Sequence, residues 1–120
     1  MSGDLAAVEG YGAVCAQIDA EAIAADTLDF VSVTSETGAE GEGSRFLADL
    51  LQREGFDIRY DEVETGRLNV YATIEGVEGD GTVFPDAGRA LVFNGHTDTI
   101  PVGASTPPGR DGDWIVGRGR

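Results

Sequence analysis

Apolar residues in this chain recur with two different periods, and each period predicts an element. Phe46, Leu47, Leu50 and Leu51 fall at i, i+1, i+4 and i+5, while Arg45, Asp49, Gln52 and Arg53 take the other side. That is the stripe of a helix packed on one face. Ser44 or a nearby glutamate is placed to cap its start, and Gly55 to stop it in a left-handed conformation. Upstream, Ala13 to Val33 is rich in alanine and lacks Gly and Pro, so it favours helix. Ile23, Leu28 and Val31, with Ala20, Ala24 and Thr27 in the same stripe, supply its core-facing side. Asp19 can cap a helix starting near Ala20, which makes the preceding segment a separate turn or short helix. Ser35 to Gly43 reads as a loop by composition, with Ser35 in a turn by default, the alternative being that it bonds local backbone or helps shape the site. Residues 1–12 hold three glycines and no periodicity, and read as loose.

Beyond Gly55 the period drops to two. Phe56, Ile58 and Tyr60 alternate with Asp57, Arg59 and Asp61, predicting a half-buried strand. Leu68, Val70, Ala72 and Ile74 repeat the pattern, with Asp61 to Gly66 as an acidic hairpin or loop between the two. Glu75 to Gly88 is glycine-rich and acidic, a solvated excursion. Arg89 to Asn94 is a strand whose Leu91-Val92-Phe93 run has no polar alternation, which predicts burial on both faces at the centre of a sheet. Pro101 ends its pairing. Ala104 to Gly109, with Pro107-Pro108, reads as an exposed loop. Trp114 to Val116 is the last strand, with Trp114 as a packing residue.

The central strand leads into Gly95, His96, Thr97 and Asp98. If the extended conformation continues, His96 and Asp98 project to the same side at a strand's carboxyl end, where open α/β sheets place ligands. A neutral imidazole can bind zinc through one nitrogen while the other donates to a carboxylate that fixes its tautomer. The plainer alternative is a histidine satisfied at a strand end, with Asp98 serving a turn or helix cap.

Gly95-His96-Thr97-Asp98-Thr99-Ile100-Pro101, followed by Asp111-Gly112 and Gly117-Arg118-Gly119, resembles the N-terminal signature of the dinuclear zinc amidohydrolases. That family includes acetylornithine deacetylase, succinyl-diaminopimelate desuccinylase, aminoacylase and the carboxypeptidase G type enzymes. The likeness extends back through Glu54-Gly55-Phe56 to Val33-Thr34-Ser35 and covers most of residues 20–120. It implies an α/β fold, the N-terminal part of a mixed-sheet zinc-exopeptidase catalytic domain with helices packed on the sheet. It implies that His96 ligates one zinc and that Asp98 orients the ring and counts as a catalytic residue. In the complete family, a water or hydroxide held between two zinc ions would attack an amide carbonyl while a glutamate shuttles the proton; cobalt or manganese can replace zinc. The implied substrates are N-acyl amino acids or small peptides, and the implied assembly is a homodimer formed through a further domain. Arg120 stands where the family usually has a small residue.

Composition narrows the partners. The chain has 120 residues, enough for one domain, with 41% hydrophobic content. Its net charge of −14 comes from 22 acidic residues against 8 basic ones, and every basic residue is arginine. Such a field repels nucleic acid and anionic membrane. Lysine depletion suits a high-salt cytoplasm, and biased base composition accounts for it equally well. The start lacks the basic region of a secretory signal, so the expected location is the cytoplasm. Cys15 is the one cysteine, so no internal disulfide can form, and its alanine and valine neighbours suggest a small helical residue. Gly117 and Gly119 make a poor phosphate loop, lacking a third glycine and a following helix.

The reading from sequence is therefore a metal-dependent amide hydrolase, present as an N-terminal portion. The alternative is a non-catalytic fragment, a binding or folding unit retaining only the first metal motif. On the first reading, DNA past codon 120 encodes an aspartate within the next three residues, followed by Met-Lys-Gly or a close variant. Sequencing the source locus checks this, and a stop codon there with no such segment in a nearby frame contradicts it.

Overall fold

The computed structural model describes residues 10–76, 91–101 and 107–117. There the chain forms α1 (Tyr11–Cys15), α2 (Ala20–Ser32), α3 (Gly41–Arg53), β1 (Asp57–Glu64), β2 (Arg67–Thr73), β3 (Gly109–Asp111) and β4 (Trp114–Val116). Asp19 caps α2: its Oδ1 accepts the backbone N–H of Glu21 at 2.9 Å and of Ala22 at 3.2 Å. Two otherwise unpaired donors of the first turn are thus satisfied. The segment before the cap is a separate short helix, so the expected break at Asp19 is real. Tyr11 and Gly12 belong to that helix, which corrects the reading of 1–12 as loose; residues 1–9 lie outside the described residues.

Helix α3 starts earlier than expected, at Gly41, with Glu40 in the capping position. Ser44 is therefore not the cap. It is wholly buried, and its hydroxyl donates to the Leu68 carbonyl of β2 at 2.9 Å. The helix ends as read: Gly55 has φ 91°, its N–H bonds to Gln52 O at 3.0 Å, and Phe56 N–H bonds to Leu51 O at 3.1 Å. That pair of bonds is a Schellman stop, and the left-handed glycine makes it possible. The α3 stripe packs on β2 and reaches β1, while Phe46 stacks on Phe30 of α2 with centroids 5.8 Å apart.

Strands β1 and β2 pair antiparallel, Ile58 opposite Ala72 and Tyr60 opposite Val70. The connection is tighter than the expected Asp61–Gly66. Asp61 to Glu64 continue β1, a bulge at Val63 absorbs one residue, and Thr65-Gly66 alone make the turn, with Gly66 at φ 80°. Arg59 lays its guanidinium over the ring of its cross-strand partner Tyr71, 4.2 Å from the centroid. A second hairpin pairs β3 with β4 and is held to α2 by a two-pronged ion pair from Arg110 to Glu21 at 2.6 and 3.0 Å. Strand β3 was not anticipated, since Gly109 was assigned to a loop. Trp114 is 75% exposed and is not the packing residue expected. Ile115 and Val116 are half-buried instead.

The largest correction concerns Leu91 to Asn94. These residues form no ladder, and Leu91, Val92 and Phe93 are 83%, 77% and 89% exposed. A strand exists only through its neighbours, and no described residue pairs with this run. Arg89 and Ala90, most of the Glu75–Gly88 excursion, residues 102–106 and the Gly-x-Gly end beyond Gly117 lie outside the described residues. Among the described residues the fully buried hydrophobic core reduces to Ala48.

Packing is tightest where α3 crosses the segment after α2. A Cβ at Gly43 would stand 2.7 Å from the Cβ of Ser35, inside contact distance, and Ser35 is itself only 3% exposed. Gly43→Ala should therefore cost about 1–3 kcal/mol through overpacking. Ser35 Oγ is buried with no partner among the described residues, so Ser35→Ala should be neutral or slightly stabilising. Urea unfolding of both variants checks the contrast.

Candidate functional site

The His96–Asp98 segment is positioned by the chain that joins α2 to α3. Thr99 N–H donates to Ser35 O at 2.8 Å and Thr37 N–H donates to Thr99 O at 3.0 Å, forming an isolated parallel bridge between Glu36 and Thr99. Thr99 Oγ1 adds a bond to Ser35 O at 3.2 Å. Ser35 is thus more than a turn residue, because its carbonyl anchors the motif.

On this anchor the two predicted site residues meet, although no strand carries them. His96 Nδ1 lies 2.9 Å from Asp98 Oδ1 and 3.1 Å from the Asp98 carbonyl. Both partners are acceptors, so in the neutral ring Nδ1 carries the hydrogen and Nε2 keeps its lone pair. The other carboxylate oxygen, Oδ2, accepts the Thr37 hydroxyl at 2.9 Å. That hydroxyl is the main reason the Asp98 carboxyl sits below its usual range; partial desolvation opposes it and the His96 ring assists. The His96 side chain is 84% exposed and that of Asp98 40%.

A cleft of about 580 Å³ opens beside the pair. Asn94 to Asp98 form one wall; Leu47 of α3 and Leu68 to Tyr71 of β2 form the other. Glu40 and Arg67 also line it. Arg67 grips Glu40 with Nε on Oε2 and Nη2 on Oε1, both at 2.9 Å, and reaches Glu64 with Nη1 at 3.1 Å. The Arg67 hydrogen bonds, helped by the Gly38 N–H, pull the Glu40 carboxyl down to about 2, and the same contacts raise Arg67. The pair ties the start of α3 to the β1–β2 turn, where a Cβ on Gly41 would meet the Gly66 carbonyl at 2.6 Å.

Sequence reasoning missed Thr37, Glu40 and Arg67. Each partner lies 27 to 61 residues away from the residue it serves, and a polar residue in a loop carries no periodic signal. The glutamate was legible only as a cap candidate. Among the described residues no group of three or more His, Cys, Asp or Glu stands close enough to hold a metal. His96 can offer one ligand, through Nε2.

The chain is 40% identical to the succinyl-diaminopimelate desuccinylase of Methylorubrum extorquens strain PA1 over 87 residues, which is 69% of this chain and 18% of that protein. It is 35% identical to the succinyl-diaminopimelate desuccinylase of Cereibacter sphaeroides over 100 residues, 78% of this chain and 24% of that protein. It therefore spans about a fifth of the length of the curated relatives it matches. No family model matches it, and no solved structure does. Over the matched stretch the chain is similar to the succinyl-diaminopimelate desuccinylases, a likeness that supports the amidohydrolase family in which they stand.

The Glu40–Arg67 pair makes stability depend on acid. The folded carboxyl, at about 2, lies below its ordinary 4.5, so its contribution is complete above 4.5 and is lost as pH falls toward 2. Wild type should lose urea midpoint across that window. Glu40→Gln should be less stable at neutral pH, with a flatter profile below 4.5. Parallel denaturation series from pH 7 downward check it.

Proposed function

We propose that this chain is the N-terminal part of a metal-dependent amidohydrolase of the desuccinylase type, acting on N-acyl amino acids or small peptides. The observation that carries it is the state of His96: Nδ1 is committed to Asp98, and Nε2, on an exposed ring lining a cleft, has no partner among the described residues. That is how a protein prepares an imidazole to ligate. The names of the relatives point to an N-succinyl amide as the bond attacked.

On this reading His96 Nε2 holds one metal, zinc or in its place cobalt or manganese, and Asp98 fixes the ring's tautomer and raises its basicity. The metal, when bound, supplies Lewis acidity toward the amide carbonyl and the attacking water. The remaining ligands, the general base and the second ion would come from chain outside the described residues. So would the strands that turn Leu91–Phe93 into the centre of a mixed α/β sheet, and any domain through which a homodimer forms. A cytoplasmic location belongs to the same reading; no helix among the described residues is long and apolar enough to cross a membrane.

For the 120-residue chain by itself a second reading has support, that of a unit without catalysis. Among the described residues one imidazole falls short of the roughly three protein ligands a catalytic zinc site needs. Dialysed protein should retain no stoichiometric zinc and should not turn over an N-acyl amino acid; metal analysis and an amidase assay decide. In a protein of the relatives' full length, Asp98→Ala should lower metal affinity or activity about 10–100-fold. An unchanged value in both would overturn the assignment of Asp98.

A further inference from the structure

The carboxylate that aligns His96 is itself held from a segment 61 residues earlier in the chain. Each of its oxygens has its own donor: His96 Nδ1 on Oδ1 and Thr37 Oγ1 on Oδ2, both at 2.9 Å. The terminal torsion of an aspartate is broad and roughly two-fold. One bond to a ring that is itself exposed would leave the torsion loosely set, whereas donors on both oxygens fix the carboxylate plane. The Thr37 hydroxyl has a single hydrogen to give. Its other acceptor, Thr99 O, lies farther off at 3.3 Å and already accepts the Thr37 N–H. A charged acceptor at the shorter distance takes the hydrogen.

The geometry points to Thr37 as a positioning residue: its hydroxyl locks the Asp98 carboxylate so that His96 stays in the Nδ1–H tautomer with Nε2 bare. The consequence for metal binding rests on the function proposed above; the alignment of the ring does not. The backbone and side chain of Thr37 have separable duties. Its N–H closes the bridge to Thr99 and survives any substitution except proline. Its hydroxyl alone reaches the carboxylate. Valine removes that hydroxyl at constant shape, and serine keeps it.

His96 is the chain's one histidine, so its imidazole nitrogens give a single, unambiguous set of resonances. In ¹⁵N-labelled protein, in mildly alkaline buffer where an ordinary imidazole is neutral, wild type should show the Nδ1–H form in large excess. Thr37→Val should raise the Nε2–H form several-fold while leaving the amide spectrum of α3 and the β1–β2 hairpin in place. Thr37→Ser should restore the wild-type ratio. Should the valine variant lose the fold, Thr37→Ala gives the same comparison. A tautomer ratio unchanged in the variants lacking the hydroxyl overturns the proposal. Zinc titration of the same substitutions in a full-length parent separates the two claims. A shifted tautomer with reduced zinc affinity supports both; a shifted tautomer with affinity unchanged in Thr37→Val and in His96→Ala keeps Thr37 as positioning residue and removes His96 as ligand.

Discussion

Everything this molecule offers as a site depends on one short contact, the bridge between Ser35–Thr37 and Asp98–Thr99. Joining segments some 64 residues apart has an entropic cost of about 4 kcal/mol for a flexible loop of that length. Two backbone bonds and two hydroxyl bonds, at about 0.5–1.5 kcal/mol net each, offset it only narrowly. What decides the balance is that Ser35 does not need to be ordered for the purpose. It is buried against Gly43 of α3, so helix packing as well as Thr99 holds its carbonyl in place. Packing between α2 and α3 thereby sets the position of His96, although neither helix contributes a residue to the His96–Asp98 pair.

The second constraint is charge. With 22 acidic residues and 8 arginines, most carboxylates have no cation to meet, so the arginines' placement matters. Arg67 binds Glu40 with a planar fork that lysine could not match. Arg110 does the same for Glu21 and so fastens the β3–β4 hairpin to α2. Both pairs join elements distant in sequence, while Arg59 spends its cation on the Tyr71 ring. A surface ion pair is ordinarily worth little. Glu40 is the exception by burial, since its side chain is 9% exposed and Arg67 and the Gly38 N–H together supply the donors its charged form needs.

Local physics was legible in the sequence and long-range physics was not. Asp19 and Gly55 marked helix ends because capping acts within a few residues. The α3 stripe and the Ile58 and Val70 alternations were visible because each reports a single covered face. The two-residue spacing of His96 and Asp98 likewise put ring and carboxylate within reach of one another. Thr37 gave no signal, since a threonine's acceptor is chosen by the fold. Ser44 misled for a related reason: the same hydroxyl that suits a cap also suits a buried bond to β2, and only the arrival of Leu68 distinguishes them. Trp114 misled because a large ring invites a packing role, whereas among the described residues it is left 75% exposed.

Leu91-Val92-Phe93 is the most instructive failure. An apolar run without alternation states that both faces are to be covered, and it says nothing about which chain covers them. Covering three such side chains is worth about 5–9 kcal/mol, comparable with the whole stability of a small domain. The described residues leave that free energy unrealised, and they bury one hydrophobic side chain fully, Ala48. The cleft beside His96 has the same origin, because β2 and the Asn94–Asp98 segment face each other with nothing between them among the described residues. On the proposed reading, completing the sheet and completing the metal site are one event: the strands that cover Leu91–Phe93 also stiffen the backbone that carries His96. Metal affinity and folding stability should then rise together, since a ligand on an uncovered segment must be ordered at the expense of binding.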